Sequence, residues 1–439
     1  MMAATPAAAE RYLDRFERMA SGATAAPWLA GVRRKAIERF AEMGFPTTRQ
    51  EEWRYTSVAP IASGSFEHPL PQPAGADAGA HAAAVDAAPF GGWGETRLVF
   101  VDGLFAPALS RAGRQAQGVT VAPLAAGASE RTAGMLAGVA GWTDRPFTAL
   151  NTALFQDGAV VAVPAGRAVE EPIQIVFHSS GRPVAAHPRC LIVLGKGAQA
   201  TVVECYSGEE GGVRFVNAVT EIVLEEGASA RHYRIQREPL SSCHVGTVEA
   251  RLGRSATLAG MAVSLGGRLS RVDIVAVLAG EGAACTLDGL YVLKGDQHCD
   301  HHTVIDHAAP HGTSRELYKG VLAGRSRGVF DGTVIVRKDA QKTDSRQENR
   351  NLLLSSEALV DTKPTLQILA DDVRCTHAAT IGRMDEQSLF YLRSRGLDPA
   401  AARLVLISAF VSDVAGRIGV RPLREGLGAL LAEELGGGS

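Results

Sequence analysis

The chain has 439 residues, 46% of them hydrophobic and 21% charged, with a formal net charge of −2. That length exceeds the usual single domain and predicts two or three structural units. A near-neutral balance excludes the basic field that nucleic acid or an anionic membrane surface requires.

The six cysteines are Cys190, Cys205, Cys243, Cys285, Cys299 and Cys375, scattered without any Cys-x-x-Cys. That spacing excludes a zinc ribbon or ferredoxin-type cradle and reads as reduced thiols packed as small apolar groups. No apolar run reaches membrane-spanning length, and the first twenty residues lack a signal-peptide core, so a cytoplasmic setting is expected.

Residues 7–44 carry Leu13, Phe16 and Met19, then Trp28, Val32 and Phe40, at helical spacing, and Gly44 and Pro46 end the pattern. The next stretch, GFPTTRQEEWRYTSVAP, reads as a surface loop anchored by Trp53 and Tyr55. Residues 66–95, rich in Pro, Gly and Ala, read as a linker or surface excursion. A strand is expected over Arg97 to Asp102, with short helices over Ala133 to Val139 and Ala149 to Phe155.

From Gly158 to Gly382 the texture is uniform. Short β-rich runs such as IQIVFHS, ATVVECY, AVTEIVLEEG and GTVIVRK alternate with Gly, Asp, Asn and Ser turns. The gaps are too short for helical crossovers, and the region is too long for one sandwich or barrel. A parallel β-helix, a solenoid of stacked coils, fits both facts.

The expected architecture is therefore mainly β. It comprises an N-terminal helical region (1–65), a linker (66–95), a solenoid core with early helical insertions (96–382) and a C-terminal helical region (383–439). In the last region Asp385 can cap a helix ending at Gly396, and Asp398-Pro399 opens another. That second helix carries a stripe of Leu404, Ile407, Val411, Val414 and Ile418, and a final helix carries Leu423, Leu427, Leu430 and Leu431.

P-loop, H-E-x-x-H and helix-opening G-x-G-x-x-G motifs are absent from the sequence. Gly324-Arg325-Ser326-Arg327-Gly328 matches G-x-S-x-G, but strand-like flanks make it a coil corner rather than a nucleophile elbow. His298, Cys299, Asp300, His301 and His302, followed by Asp306, His307 and His311, offer metal-ligating groups. Alternation sends neighbours to opposite faces, so a hydrogen-bonded polar face competes with the metal reading.

Cys375 and His377 stand two residues apart, on one face if this is a strand. That face also holds Val373, Ala379 and Ile381, so it points into the coil, and the residues alone favour core packing over a functional pair.

Three stretches change the weights. DTKPTLQILADDVRCTHAATIGRMDEQSLFYLRSRG, LYKGVLAGRSRGVFDGTVIV and GFPTTRQEEWRYT resemble the SufD branch of the SufB/SufD family of the SUF iron–sulfur cluster assembly machinery. The resemblance spans most of the chain and is weakest between residues 60 and 95.

It implies a non-catalytic scaffold with a β-helix core, paired with SufB and carrying the SufC ATPase on its C-terminal helices. Leu404, Ile407, Val411 and Val414 are the expected docking residues. It also implies a nascent cluster site, with iron acquisition, at the SufB–SufD interface. His377 would be its tentative metal ligand and Cys375 the thiol of the same motif. Sulfur would come from a cysteine desulfurase system and ATP would sit on SufC, whose hydrolysis would shift the scaffold.

No cofactor is expected on the isolated chain, while a transient iron–sulfur cluster, and reduced flavin as a further candidate, belong to the complex. A homodimer of the isolated chain is compatible with an open β-helix edge. One departure stands out: the family pattern has glycine after the histidine, and this chain has Ala378. A carbohydrate-active β-helix enzyme and a purely structural solenoid are the competing readings.

Overall fold

Strands of 8 to 11 residues, each closed by a tight turn, set the frame of the molecule. The computed structural model describes residues 6–22, 27–69, 78–87, 93–113, 117–127 and 129–436. From Gln199 onward the chain alternates between two sheets. The first holds Gln199–Gly208, Ser229–Gln236, Thr257–Ser264, Ala284–Leu293, Thr313–Leu322, Asp344–Leu353 and Arg374–Arg383 side by side. The second holds Arg214–Leu224, Ser242–Leu252, Leu269–Leu278, His298–His307, Arg327–Val336 and Leu359–Ile368. All these pairings are parallel, giving a β-solenoid of about eight turns.

The period of two along each strand explains the stacking. In-register residues such as Leu287 and Glu316, or Val272 and His301, share the inward face of successive coils. Inward Val202, Ile222, Leu258, Ile274 and Phe330 belong to one continuous core. One set of corners is stacked as regularly as the strands. Gly166, Gly197, Gly227, Ser255, Gly282, His311 and Lys342 all take positive φ, between 53° and 70°. Each donates its N–H to a carbonyl one coil further on, from Lys196 through to Asp372, at 2.7–3.0 Å. Glycine takes this left-handed turn without strain; at the other three positions it costs roughly 1–2 kcal/mol.

Helices cover both outer faces. Pro6–Gly22, Pro27–Met43 and Pro146–Leu154 bury Phe16, Phe40 and Leu150 against Phe215, Val245 and Leu269 of the second sheet. Pro399–Ala415 and Arg421–Gly436 bury Val411, Val414, Leu423 and Leu427 against Val203, Tyr233, Val263 and Leu290 of the first. Polar pins hold this C-terminal unit in register. Lys319 Nζ reaches Asp413 Oδ1 and the Phe410 carbonyl, both at 2.6 Å, and Arg417 pairs with Asp288 at 2.7 Å.

One expectation is sharpened and one corrected. The stretch around Trp53 exposes residues 48–52, and Trp53 anchors it from below, buried beneath the Arg271 guanidinium, 3.7 Å from the ring centre, because an aromatic face stabilises a desolvated cation. Within the expected linker, Ala78–Ala87 forms a helix with Val85 buried; residues 70–77 and 88–92 of that linker lie outside the described residues. If the C-terminal helices are an integral layer, Leu427→Ala should destabilise the chain by about 2–5 kcal/mol in urea unfolding. A loss below about 0.5 kcal/mol would mean that this layer is not part of the cooperative core.

Candidate functional site at the open end of the solenoid

The last coil differs from all the others in having one neighbour per strand. Among the described residues, Leu359–Ile368 pairs only with Arg327–Val336, and Arg374–Arg383 only with Asp344–Leu353. Two backbone edges are left open, rimmed by exposed Leu359, Ile368, Ile381 and the 66%-exposed Leu369. Open edges of this kind are templates for pairing with another chain.

Register fixes what faces this mouth. Cys375 lies beside Ser345, His377 beside Gln347, Ala379 beside Asn349 and Ile381 beside Asn351, and the four partners are buried inward residues. The alternation read from sequence therefore holds, but the core environment does not. With no further coil to cover it, His377 is exposed, while Cys375 is half-buried against Val334, Val336, Ala340 and Leu366. Burial pushes the Cys375 thiol up, opposed by the Ser345 N–H and aided by Asp344, so at neutral pH it is a protonated packing group rather than a nucleophile.

Behind His377 the inward side chains become polar in a way the sequence reading did not single out. Gln347 Nε2 donates to Glu316 Oε2 at 2.6 Å, while Gln347 Oε1 is buried without a hydrogen-bond partner. Asn351 Nδ2 donates to Asn349 Oδ1 at 2.6 Å, and the Tyr291 hydroxyl donates to Asn351. The available signal was Ser345, Gln347, Asn349 and Asn351 at every second position, interleaved with Arg346, Glu348 and Arg350. Ala378 belongs to the opposite, outward set, beside Glu348, and none of this strand takes positive φ. Its methyl points away from the mouth, so the departure from glycine leaves the inward face intact.

The histidine-rich strand has another use. His298, Asp300 and His302 face outward, and Cys299 and His301 inward. Thr56 Oγ1 donates to Asp300 Oδ2 at 2.5 Å and meets His298 Nε2 at 2.8 Å. Arg271 Nη1 donates to the same carboxylate oxygen at 2.8 Å and to the Glu52 carbonyl at 2.6 Å. Although burial opposes ionisation, His302 and Arg271 hold Asp300 far below the usual carboxylate range. The guanidinium thus supplies the cation here, and the cluster clamps the N-terminal segment onto the second sheet. His311 is a corner residue of the turn stack, apart from this cluster. Ser326 is fully buried at a coil corner, not on an elbow.

The expected docking residues are not brought to a surface. Ile407, Val411 and Val414 are buried against the chain's own first sheet and Leu404 is half-buried, because the stripe is consumed in holding the helix down. The helical unit instead exposes Phe390 (73%), Tyr391 (56%) and Val405 (46%). Among the described residues, no helix is long and apolar enough to cross a membrane.

Burial raises the Glu316 carboxyl to about 7 from an ordinary 4.5. The folded chain then keeps a proton that the unfolded chain releases. This contribution to stability is fully present below about pH 4.5 and is lost as pH rises through about 7. Glu316→Gln should remove that loss, about 3 kcal/mol at about 1.4 kcal/mol per pKa unit. Urea midpoints at about pH 5 and about pH 8 test it: the variant should lose less stability than the parent. Parallel losses would show that Glu316 does not hold the proton.

Comparison with known proteins gives the family. Residues 176–410 match the family model described as SUF system FeS cluster assembly, SufBD core domain, and residues 7–175 match the SufBD protein N-terminal region. The chain is 33% identical over 409 residues to an iron–sulfur cluster assembly SufBD family protein of Synechocystis, covering 90% of this chain and 89% of that protein. It is 30% identical over 407 residues to the iron–sulfur cluster assembly protein SufD of Escherichia coli, covering 92% of each. The SufB protein of Bacillus subtilis is 28% identical over 271 residues, 61% of this chain and 58% of that protein. The chain belongs to the SufBD family of the SUF iron–sulfur cluster assembly system.

Proposed function

We propose that this chain is a SufD-type scaffold subunit that pairs with SufB through the open end of its solenoid and contributes His377 to the nascent cluster site formed there. The observation that carries the reading is the uncovered last coil: two strand edges without a further partner and an apolar rim around an inward-facing imidazole that nothing among the described residues covers. A pairing subunit would satisfy the edges and enclose the imidazole, and neutral imidazole is a suitable ligand for iron. The scaffold is non-catalytic, and the protonated Cys375 thiol serves packing at the mouth.

SufC would dock on the exposed side of the helical unit, on Phe390, Tyr391 and Val405, rather than on the buried stripe. The helix Glu386–Ser394, capped by Asp385 accepting from Gln387 and Ser388 N–H groups, begins directly after the mouth strand ends at Arg383. Movement of a docked ATPase would therefore be passed to an edge strand with a single neighbour.

In a co-expressed SufB–SufC–SufD complex, His377→Ala should lower iron and sulfide content several-fold while all three subunits still co-purify. Wild-type cluster content would remove His377 from the site. The double substitution Phe390→Ala, Tyr391→Ala should weaken SufC retention about tenfold or more, the cost of losing two aromatic anchors. Undiminished SufC in the purified complex would place the docking surface elsewhere.

A further inference from the structure

We propose that His81, His178 and Glu209 form a site for one divalent ion of the zinc class, which clips the helix Ala78–Ala87 to the first coils of the solenoid. The three residues come from separate parts of the chain: that helix, the strand Ile173–Ser179 and the residue directly after Gln199–Gly208. Each presents one ligand atom, and the three atoms lie within 4.8 Å of one another. His81 Nδ1 stands 2.8 Å from Glu209 Oε1, and His178 Nε2 stands 3.4 Å from the same oxygen. Ligand atoms around a tetrahedral zinc ion, bound at about 2.0–2.1 Å, stand about 3.3 Å apart. The His178–Glu209 separation already matches, and the His81 contact has to open by about half an ångström.

The surroundings are those of a ligand set. His178 Nδ1 meets Ser207 Oγ at 3.1 Å, a hydroxyl that can accept from Nδ1–H when Nε2 gives up its proton to a metal. The side chains of His178 and His81 are 2% and 13% exposed, and that of Glu209 is 36% exposed. The floor of the site is therefore closed, and its carboxylate side is open for water to complete the coordination. Asp102, which accepts from the Ser180 N–H at 3.0 Å, adds a second negative charge near His178. Among the described residues the helix is held by buried Val85, with Ala82 packed beside it, and by Asp86, which pairs with Arg97 at 2.7 Å. This inference rests on neither the SufB pairing nor the SufC docking.

The test is titration of Zn(II), and of Co(II) as a visible-absorbing stand-in, into the untagged full-length chain. One equivalent should bind, and the thermal midpoint should rise with zinc. His178→Ala and His81→Ala should weaken binding at least 100-fold. Ser207→Ala should weaken it about 10–100-fold. Glu209→Gln, which keeps a hydrogen-bonding side chain, reports on the ligand charge if an alanine variant misfolds. Circular dichroism checks each fold. Control variants His311→Asn and Glu281→Gln, at exposed positions outside the site, should bind zinc like the parent. The proposal falls if the parent binds no stoichiometric zinc, if His81→Ala and Glu209→Gln bind it undiminished, or if only the control variants lose it.

Discussion

A coil of a parallel solenoid satisfies its backbone and covers its inward side chains only by having a coil on each side. Here the early end is finished by antiparallel pairs, Leu104–Phe105 on Arg97–Val101 and Thr120–Pro123 on Gly158–Val163. The late end has no such closure among the described residues. Buried N–H and C=O groups are almost always paired, so an edge like this persists only in water or against a partner. The same constraint separates Cys375 from His377, which share a face. Cys375 sits near the corner, where Ala370, Val373 and Leu366 cover it, and His377 sits in mid-strand, where nothing does.

The solenoid interior is polar at several levels, but the chemistry changes along its length. Deep inside, ionisable groups are matched: Glu204 meets His232 at 3.0 Å and accepts from Thr220 and Tyr206 hydroxyls at 2.9 Å, and Glu238 meets His244 at 2.6 Å. Such charges are tolerable away from water only because their partners are fixed by both flanking coils. Toward the mouth the inward positions are uncharged amides, and one carbonyl, Gln347 Oε1, stays unmatched beside His377 in register. An amide is far less costly to leave partly exposed than an ion, and it offers donor and acceptor together. That suits a surface whose covering arrives with another subunit.

How much of this was legible follows from what each signal depends on. The solenoid was readable because period-two runs and turn residues are local, and so were both C-terminal helices, whose Asp385 and Asp398 caps accept the N–H groups expected of them. The inward direction of Cys375 and His377 was also local. Their exposure was not, because it depends on whether a further coil follows, and strand alternation carries no information about that. Trp53 was legible as an anchor but its partner was not, because Arg271 lies over two hundred residues away. The C-terminal stripe was legible as apolar but not as occupied, since helical spacing says that a face must pack and not on what. The convergence of His81, His178 and Glu209 has no sequence signature, because no two of them share an element.

The helical unit joins the mouth to the rest of the molecule in two different ways. Pro399–Ala415 and Arg421–Gly436 are locked to the first sheet by a large apolar contact and by ion pairs on Lys319 and Asp288. The shorter Glu386–Ser394 buries only Leu389 of its own residues and follows the last strand without an intervening loop of any length. The shorter helix also packs on Pro399–Ala415, so it links the anchored layer to the strand that carries His377. Displacement of the exposed Phe390 and Tyr391 would be shared between that helix contact and the ladder joining Arg374–Arg383 to Asp344–Leu353. As an edge strand, the one bearing His377 has a backbone ladder on one side, where the interior strands of its sheet have two.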